Sequence, residues 1–290
     1  EFDALPGISQ AAVPFEQKIE GKGAAQACGH HLFGAGSAGA AIAVKEWLER
    51  TGTQGTIQFF GTPAEEGGSG KVYMVRAGLF DDVDTVIHWH PSSVNAADSA
   101  STLANRSAKF TFSGVSSHAA SAPDRGRSAL DAVESMNFMV NLLREHVPTS
   151  TRIHYVITNG GSAPNVVPNT AQSFYYVRHP NETTLREIWD RVMATAEAAA
   201  VGTGTSMSYE IIHGNYGVLP NDTLAKVMHA KLSSVGGVEY SEADEVFATE
   251  LSKTLPTGRD RSIGPTPEER PMARASEPIT YARYPPRSEP

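Results

Sequence analysis

The sequence predicts an α/β protein in which a mostly parallel, helix-flanked sheet carries an inserted ferredoxin-like domain. Short apolar runs alternate with helix-period segments as far as residue 90, and a strand–helix–strand–strand–helix–strand order follows. Polar, chemistry-bearing islands also stand just past the ends of the apolar runs, where parallel sheets present their ligands.

Each element has its own signal. Glu1-Phe2-Asp3-Ala4-Leu5-Pro6-Gly7 has the texture of a strand running into a loop, without an initial Met. Residues 31–50 place small and apolar side chains on a helical period, with Lys45 and Arg50 suiting the C-terminal end of the macrodipole, which predicts a largely buried helix. Residues 56–60 (TIQFF) read as a buried strand, 71–77 as a helix closed by Gly78, and 84–87 as the next strand. The second block reads as strand 109–113, helix 128–144, strands 153–158 and 170–178, helix 184–200 and strand 205–212. A helix over 219–234, with Asn221 and Asp222 as cap candidates, returns the chain to the first domain.

The expected organisation is therefore a catalytic domain over 1–104, an inserted lid and dimerisation domain over 105–215, and a return to the catalytic domain over 216–255. Beyond that, Pro256, Pro265, Pro267, Pro271, Pro278, Pro285, Pro286 and Pro290 are interleaved with charges and Ser, so 256–290 is expected to be disordered. The catalytic domain is expected to be truncated at both ends.

Charge excludes some functions. With 24 Lys and Arg against 32 Asp and Glu, the net charge of −8 argues against nucleic acid or an anionic membrane as partner. No apolar run approaches the roughly 18 residues of a membrane span, and no leader pattern opens the chain, so a cytoplasmic location is expected. The single cysteine, Cys28, excludes an internal disulfide framework.

Four islands carry the chemistry. In Cys28-Gly29-His30-His31 the glycine lets two ligand types two residues apart face one cavity at a helix start. Glu65 and Glu66 follow an apolar run, and burying both without a cation would cost several kcal/mol. In an extended segment they would point to opposite sides, one toward a metal and the other toward a water as general base. His88-Trp89-His90-Pro91 alternates in the same way, and Ser116-Ser117-His118 leaves a strand of the second block. Plainer readings exist for each: an inert buried thiol, a capping or core histidine, a solvated Glu pair in a Gly-rich loop, a surface histidine.

The ordered succession of Glu1–Gly7, Ala27-Cys28-Gly29-His30, Pro63-Ala64-Glu65-Glu66-Gly67, Trp89-His90-Pro91, Ser117-His118-Ala119-Ala120, Gly126 to Ala132 and Ala163-Pro164-Asn165-Val166-Val167-Pro168 resembles the amidohydrolase branch of the aminoacylase and carboxypeptidase G metallopeptidase family. Within it the B-type chains of the p-aminobenzoyl-glutamate hydrolases are most alike. The resemblance implies that Cys28, His30, Glu66 and His90 hold two divalent ions, manganese or zinc, and that Glu65 is the general base. It further implies that His118 stabilises the oxyanion, often across a dimer interface, and that Asn165 and Arg178 reach the substrate. His88 has no counterpart and is left as a supporting residue.

The implied substrates are N-acyl or aminobenzoyl amino acids, and the implied assembly is a homodimer through the lid or a pairing with a second homologous subunit. One departure stands out: no Ser-Thr-Asp-Val-Gly-Asp-like loop and no last metal-ligating histidine follow residue 255, and His213 and His229 fit no such motif. Two rivals from other classes remain at this level. One is a catalytically inactive ligand-binding or scaffold subunit of the same fold; the other is a cysteine hydrolase built on Cys28 and His30, which lacks an evident orienting Asn or Asp.

Overall fold

Alternation of apolar side chains decides the architecture between residues 104 and 215. A computed structural model describes residues 1–92, 95–97, 99–237 and 239–255. In it, strand β3 (Ala104–Ser113) buries Ala104, Ala108, Phe110 and Phe112, and β5 (Thr170–His179) buries Ala171, Ser173, Tyr175 and Val177. Side chains two apart share a face, so both strands offer one apolar face and one mixed face. Helices α3 (Ala129–Leu143) and α4 (Glu182–Thr203) cover the apolar face with Val133, Met136, Val140, Trp189 and Val192.

With β4 (Arg152–Asn159) and β6 (Ser206–Asn215), the strands form one antiparallel sheet in the order β4-β5-β3-β6. This is the βαββαβ plan the sequence predicts. Both helices start on side-chain caps: Ser128 Oγ accepts from the Asp131 N–H and Asn181 Oδ1 from the Thr184 N–H. The polar group inside the core is satisfied as well, since Asn137 Oδ1 accepts from both Tyr175 Oη and Ser173 Oγ.

Elsewhere in the chain, β1 (Leu5–Pro6) pairs antiparallel with β2 (Ala24–Ala25). Helix α1 runs over His30–Thr51 and α2 over Gly70–Arg76. Helix α5 (Asp222–Val235) is capped by Asn221, one of the two anticipated residues. Helix α6 (Glu242–Ser252) was not anticipated, although Ser241 and Asp244 form a capping box that the sequence displays.

Backbone packing divides the chain into two compact units. The described residues of one, 1–92, 101–218 and 240–255, include every candidate site residue; α5 belongs to the other. Among the described residues no helix is long and apolar enough to cross a membrane. The expected disordered tail, 256–290, lies outside the described residues.

The protein is a mixed α/β chain, but the mostly parallel sheet is not formed among the described residues. Residues 56–60 and 84–87 join no ladder, and Phe59 and Ile87 are 53% and 70% exposed. An apolar run becomes a strand only when a neighbour accepts its backbone hydrogen bonds, and no described segment does so here. For the same reason α1, expected to be largely buried, buries only His30 and Phe33.

The core assignment predicts unequal costs for two phenylalanines. Phe110→Ala should destabilise the βαββαβ unit by about 3–5 kcal/mol, whereas Phe138→Ala on the exposed side of α3 should stay within about 0.5 kcal/mol, both read from urea unfolding.

Candidate metal centre

The site begins with a glycine. Gly29 caps α1 at φ 84°, and a side chain there would meet the Pro91 ring at 3.0 Å, so the tight entry of Cys28-Gly29-His30 requires glycine on both counts. One turn into the helix, Phe33 gathers the imidazoles: its ring centroid lies 5.1 Å from that of His30 and 5.6 Å from those of both His88 and His90. An apolar hub therefore holds three histidines that the sequence spaces across sixty residues.

Second hydrogen bonds fix which nitrogen each histidine offers. His90 Nδ1 lies 2.8 Å from the Pro91 carbonyl, which can only accept, so Nδ1 carries the proton and Nε2 presents a lone pair. That Nε2 lies 3.2 Å from Cys28 Sγ. His30 Nδ1 lies 3.1 Å from Asp3 Oδ1, and its Nε2 faces Glu1, Glu66 and Glu65 carboxylate oxygens at 3.5, 3.6 and 3.7 Å.

Those distances define a focus of electron-pair donors. His30 Nε2 and Glu66 Oε1 are buried there with no hydrogen-bond partner. Ligand atoms of Cys28, His30 and His90 fall within 4.8 Å of one another, as do those of Glu1, His30 and Glu65. Burial raises the Glu65 carboxyl above its ordinary range, and Glu1 and Glu66 push it further. Burial likewise raises the Cys28 thiol, with Glu66, Glu65 and Glu1 adding to it. Negative charge is in excess, and a divalent cation would convert the mutual repulsion into coordination. The mixed S, N and O donor set suits a borderline ion such as zinc or manganese.

Two residues that the sequence reading passed over hold this focus together. Besides contacting His30, Asp3 accepts the Glu66 N–H at 2.8 Å through Oδ2. Burial works against its charge, yet the N–H groups of Glu66 and Glu65 outweigh it and hold the carboxyl below the usual range. Glu1 is almost wholly buried and is ion-paired to Lys71, with His88 Nε2 at 3.5 Å. Burial would raise the Glu1 carboxyl, but Lys71 and then His88 outweigh it and keep it ionised. The signal for both was present in the Glu1-Phe2-Asp3 motif, where two acids flank one aromatic.

The expectation that Glu65 and Glu66 point to opposite sides is corrected. Both carboxylates reach His30 Nε2, because the segment is a turn closed by Gly68 N–H to Ala64 O, with Ala64 at φ 54°, and not an extended strand. Their difference is one of exposure: the Glu65 side chain is 45% exposed and that of Glu66 23%.

The remaining candidates fall into two places. His118 and Asn165 share one loop pair, joined by a bridge between His118 and Val166 and by Ala119 N–H to Asn165 O. His118 Nδ1 accepts from the Ala120 and Ser121 N–H groups, which leaves Nε2 as the donor. Arg178 sits at the other end of β5. Thr170 to Arg178 at about 3.3 Å per residue separates it from the Asn165 end by roughly 26 Å. At the Arg178 end, Tyr176 Oη comes within 4.0 Å of where a Gly67 side chain would begin. The structure thus brings Cys28, His30, Glu65, Glu66 and His90 together, and sets His118 and Asn165 apart from Arg178.

Such a cluster of sulfur, nitrogen and oxygen donors is one that a divalent metal ion could occupy. The sequence profile of peptidase family M20/M25/M40 matches residues 1–264, and the chain belongs to that family. It is 44% identical over 263 residues to the B chain of the p-aminobenzoyl-glutamate hydrolase of Escherichia coli K12, covering 90% of this chain and 54% of the relative. It is 34% identical over 251 residues to human Xaa-Arg dipeptidase, covering 85% and 53%. A solved structure described as an aminohydrolase, from methicillin resistant Staphylococcus aureus, shares the fold with TM-score 0.55 at 21% identity, covering 81% of this chain and 64% of that one. The chain spans about half the length of the curated relatives it matches.

Asp3 should matter without being a ligand. Asp3→Asn is expected to weaken Zn2+ or Mn2+ binding by about 10–100-fold in calorimetric titration, and affinity equal to wild type would remove its positioning role.

Proposed function

We propose that the protein containing this chain is a metal-dependent amidohydrolase that cleaves the amide bond of N-acyl or aminobenzoyl amino acids, p-aminobenzoyl-glutamate among them. The observation that carries this reading is the convergence of Cys28, His90 and both glutamates around the buried His30 in a chain of peptidase family M20/M25/M40.

Cys28, His30, Glu66 and His90 would hold divalent metal, two ions in the whole protein, manganese first and zinc as the alternative. When bound, the metal would polarise the scissile carbonyl and lower the pKa of water. Glu65 is the general base. Its carboxylate is the more exposed of the pair, within reach of solvent, while Glu66 is tied through its N–H to Asp3. Glu65 takes a proton from the attacking water as the oxygen adds to the carbonyl carbon, and returns it to the nitrogen as the C–N bond breaks. Burial, and then the neighbouring Glu1 and Glu66 carboxylates, raise the proton affinity of Glu65, as a base requires.

His118, with Nε2 free to donate, would stabilise the oxyanion, and Asn165 would orient the amide. Their distance from the Arg178 end of β5, roughly 26 Å along the strand, favours a second copy as their source, so a homodimer through the βαββαβ unit completes the site. A second homologous subunit is the alternative partner, since the relative at 44% identity is itself named as one component of its enzyme. The βαββαβ unit would act as a lid that carries Arg178 to the substrate carboxylate.

Purified protein supplied with Mn2+ should release the free amino acid from p-aminobenzoyl-glutamate or from a member of an N-acyl amino acid panel. Glu65→Gln should lower kcat by about 10²–10⁴-fold while metal content is unchanged. No release from any member, or full activity in Glu65→Gln, would defeat the assignment.

A further inference from the structure

The face of the βαββαβ sheet away from the helices carries a row of polar groups that the metal centre does not use. Register places Ser107 of β3 between Tyr176 of β5 and His213 of β6, and pairs Asn105 with Arg178. Opposed residues in antiparallel strands share a face, so these five side chains stand together. The Tyr176 ring is the centre of the row. Arg178 Cζ lies over it at 5.1 Å from the centroid, and the His213 ring meets it edge-on at 5.1 Å.

Three atoms in the row are buried without a hydrogen-bond partner: Asn105 Oδ1, Ser107 Oγ and His213 Nδ1. All three residues are more than nine-tenths buried. Orphaned buried polar atoms are few in a folded protein, and three in adjacent register positions mark a place that expects a polar occupant. The charge is also unanswered, because no carboxylate stands within ion-pair distance of Arg178 among the described residues. Burial lowers the His213 imidazole below its ordinary range, against a hydrogen bond with Asn215 and with a smaller push from Arg178, so Arg178 is the positive charge of the row. Tyr176 Oη meanwhile points toward the Gly67 turn that follows Glu65 and Glu66.

We infer that Tyr176 is a specificity-determining residue that, beside Arg178, donates a hydrogen bond to the free carboxylate of the amino-acid portion of the substrate, with His213 as the positioning residue for its ring. The inference rests on the amidohydrolase reading above and adds to it Tyr176 as a second donor to the carboxylate that Arg178 reaches. A guanidinium stacked over the ring and the phenol hydroxyl of that ring are two donors that one carboxylate can engage. Ser107, opposite Tyr176 in register, and His213, at the ring's edge, offer polar atoms to a bound water or to the polar side chain of that amino acid.

The test compares p-aminobenzoyl-glutamate with its diamide, in which both carboxylates are carboxamides. Tyr176→Phe, which keeps the ring and its packing, should raise KM for the acid about tenfold with kcat within about twofold, and leave the diamide unchanged. His213→Ala should show the same selectivity, since it removes the ring packed edge-on against Tyr176. Equal losses on acid and diamide, or no change on either, would overturn the inference while the amidohydrolase reading stands. A wild-type protein that hydrolyses neither compound nor any N-acyl amino acid of the panel overturns both.

Discussion

One carboxylate, Asp3, ties the site to the fold. Through Oδ1 it fixes the proton of His30 on Nδ1, and through Oδ2 it holds the backbone of Glu66. The first contact aims the His30 lone pair at the focus; the second places the turn that brings Glu65 and Glu66 to it. An acceptor-only group at this point forces electron pairs inward from every side. The surrounding anions, Glu1 included, then become stable only in the presence of positive charge. Lys71 supplies part of it at the rim, and the centre is left for a cation.

The chain divides its labour between two kinds of stability. The βαββαβ unit is stabilised by burial of a continuous apolar core and by capped helices, so its mixed face is free to carry Arg178, Tyr176 and His213. The metal-centre segments have far less apolar burial, with Phe33 as their principal buried hydrophobic side chain. There, electrostatics and a few hydrogen bonds replace packing. Bound metal would then act on structure as well as chemistry, because ligand free energy adds directly to folding free energy.

Sequence reasoning found the βαββαβ order because periods of 2 and 3.6 leave clear traces in β3, α3, β5 and α4. It singled out Cys28, His30, Glu65, Glu66 and His90 because ligand types rarely cluster after apolar runs by chance, and the fold sets these side chains beside one another. It passed over Asp3 and Glu1 as site residues although their motif was noted, since two acids flanking an aromatic do not say what they orient until the fold brings His30 and Glu66 alongside. It misjudged the Glu65 and Glu66 directions because a left-handed Ala64 is invisible in composition. Its parallel sheet failed for a different reason: residues 56–60 and 84–87 have strand-like composition, yet pairing depends on neighbours that no local pattern reveals. His213 was set aside as fitting no metal motif, and its place beside Tyr176 emerged only from strand register.

The account stands or falls on a cation at the His30 focus. Anomalous scattering from crystals grown with Mn2+ or Zn2+ measures this directly. The expected result is a peak bounded by Cys28 Sγ, His30 Nε2, His90 Nε2 and the Glu66 carboxylate. A metal-saturated crystal with that focus empty, or with its peak bound elsewhere, would contradict the account.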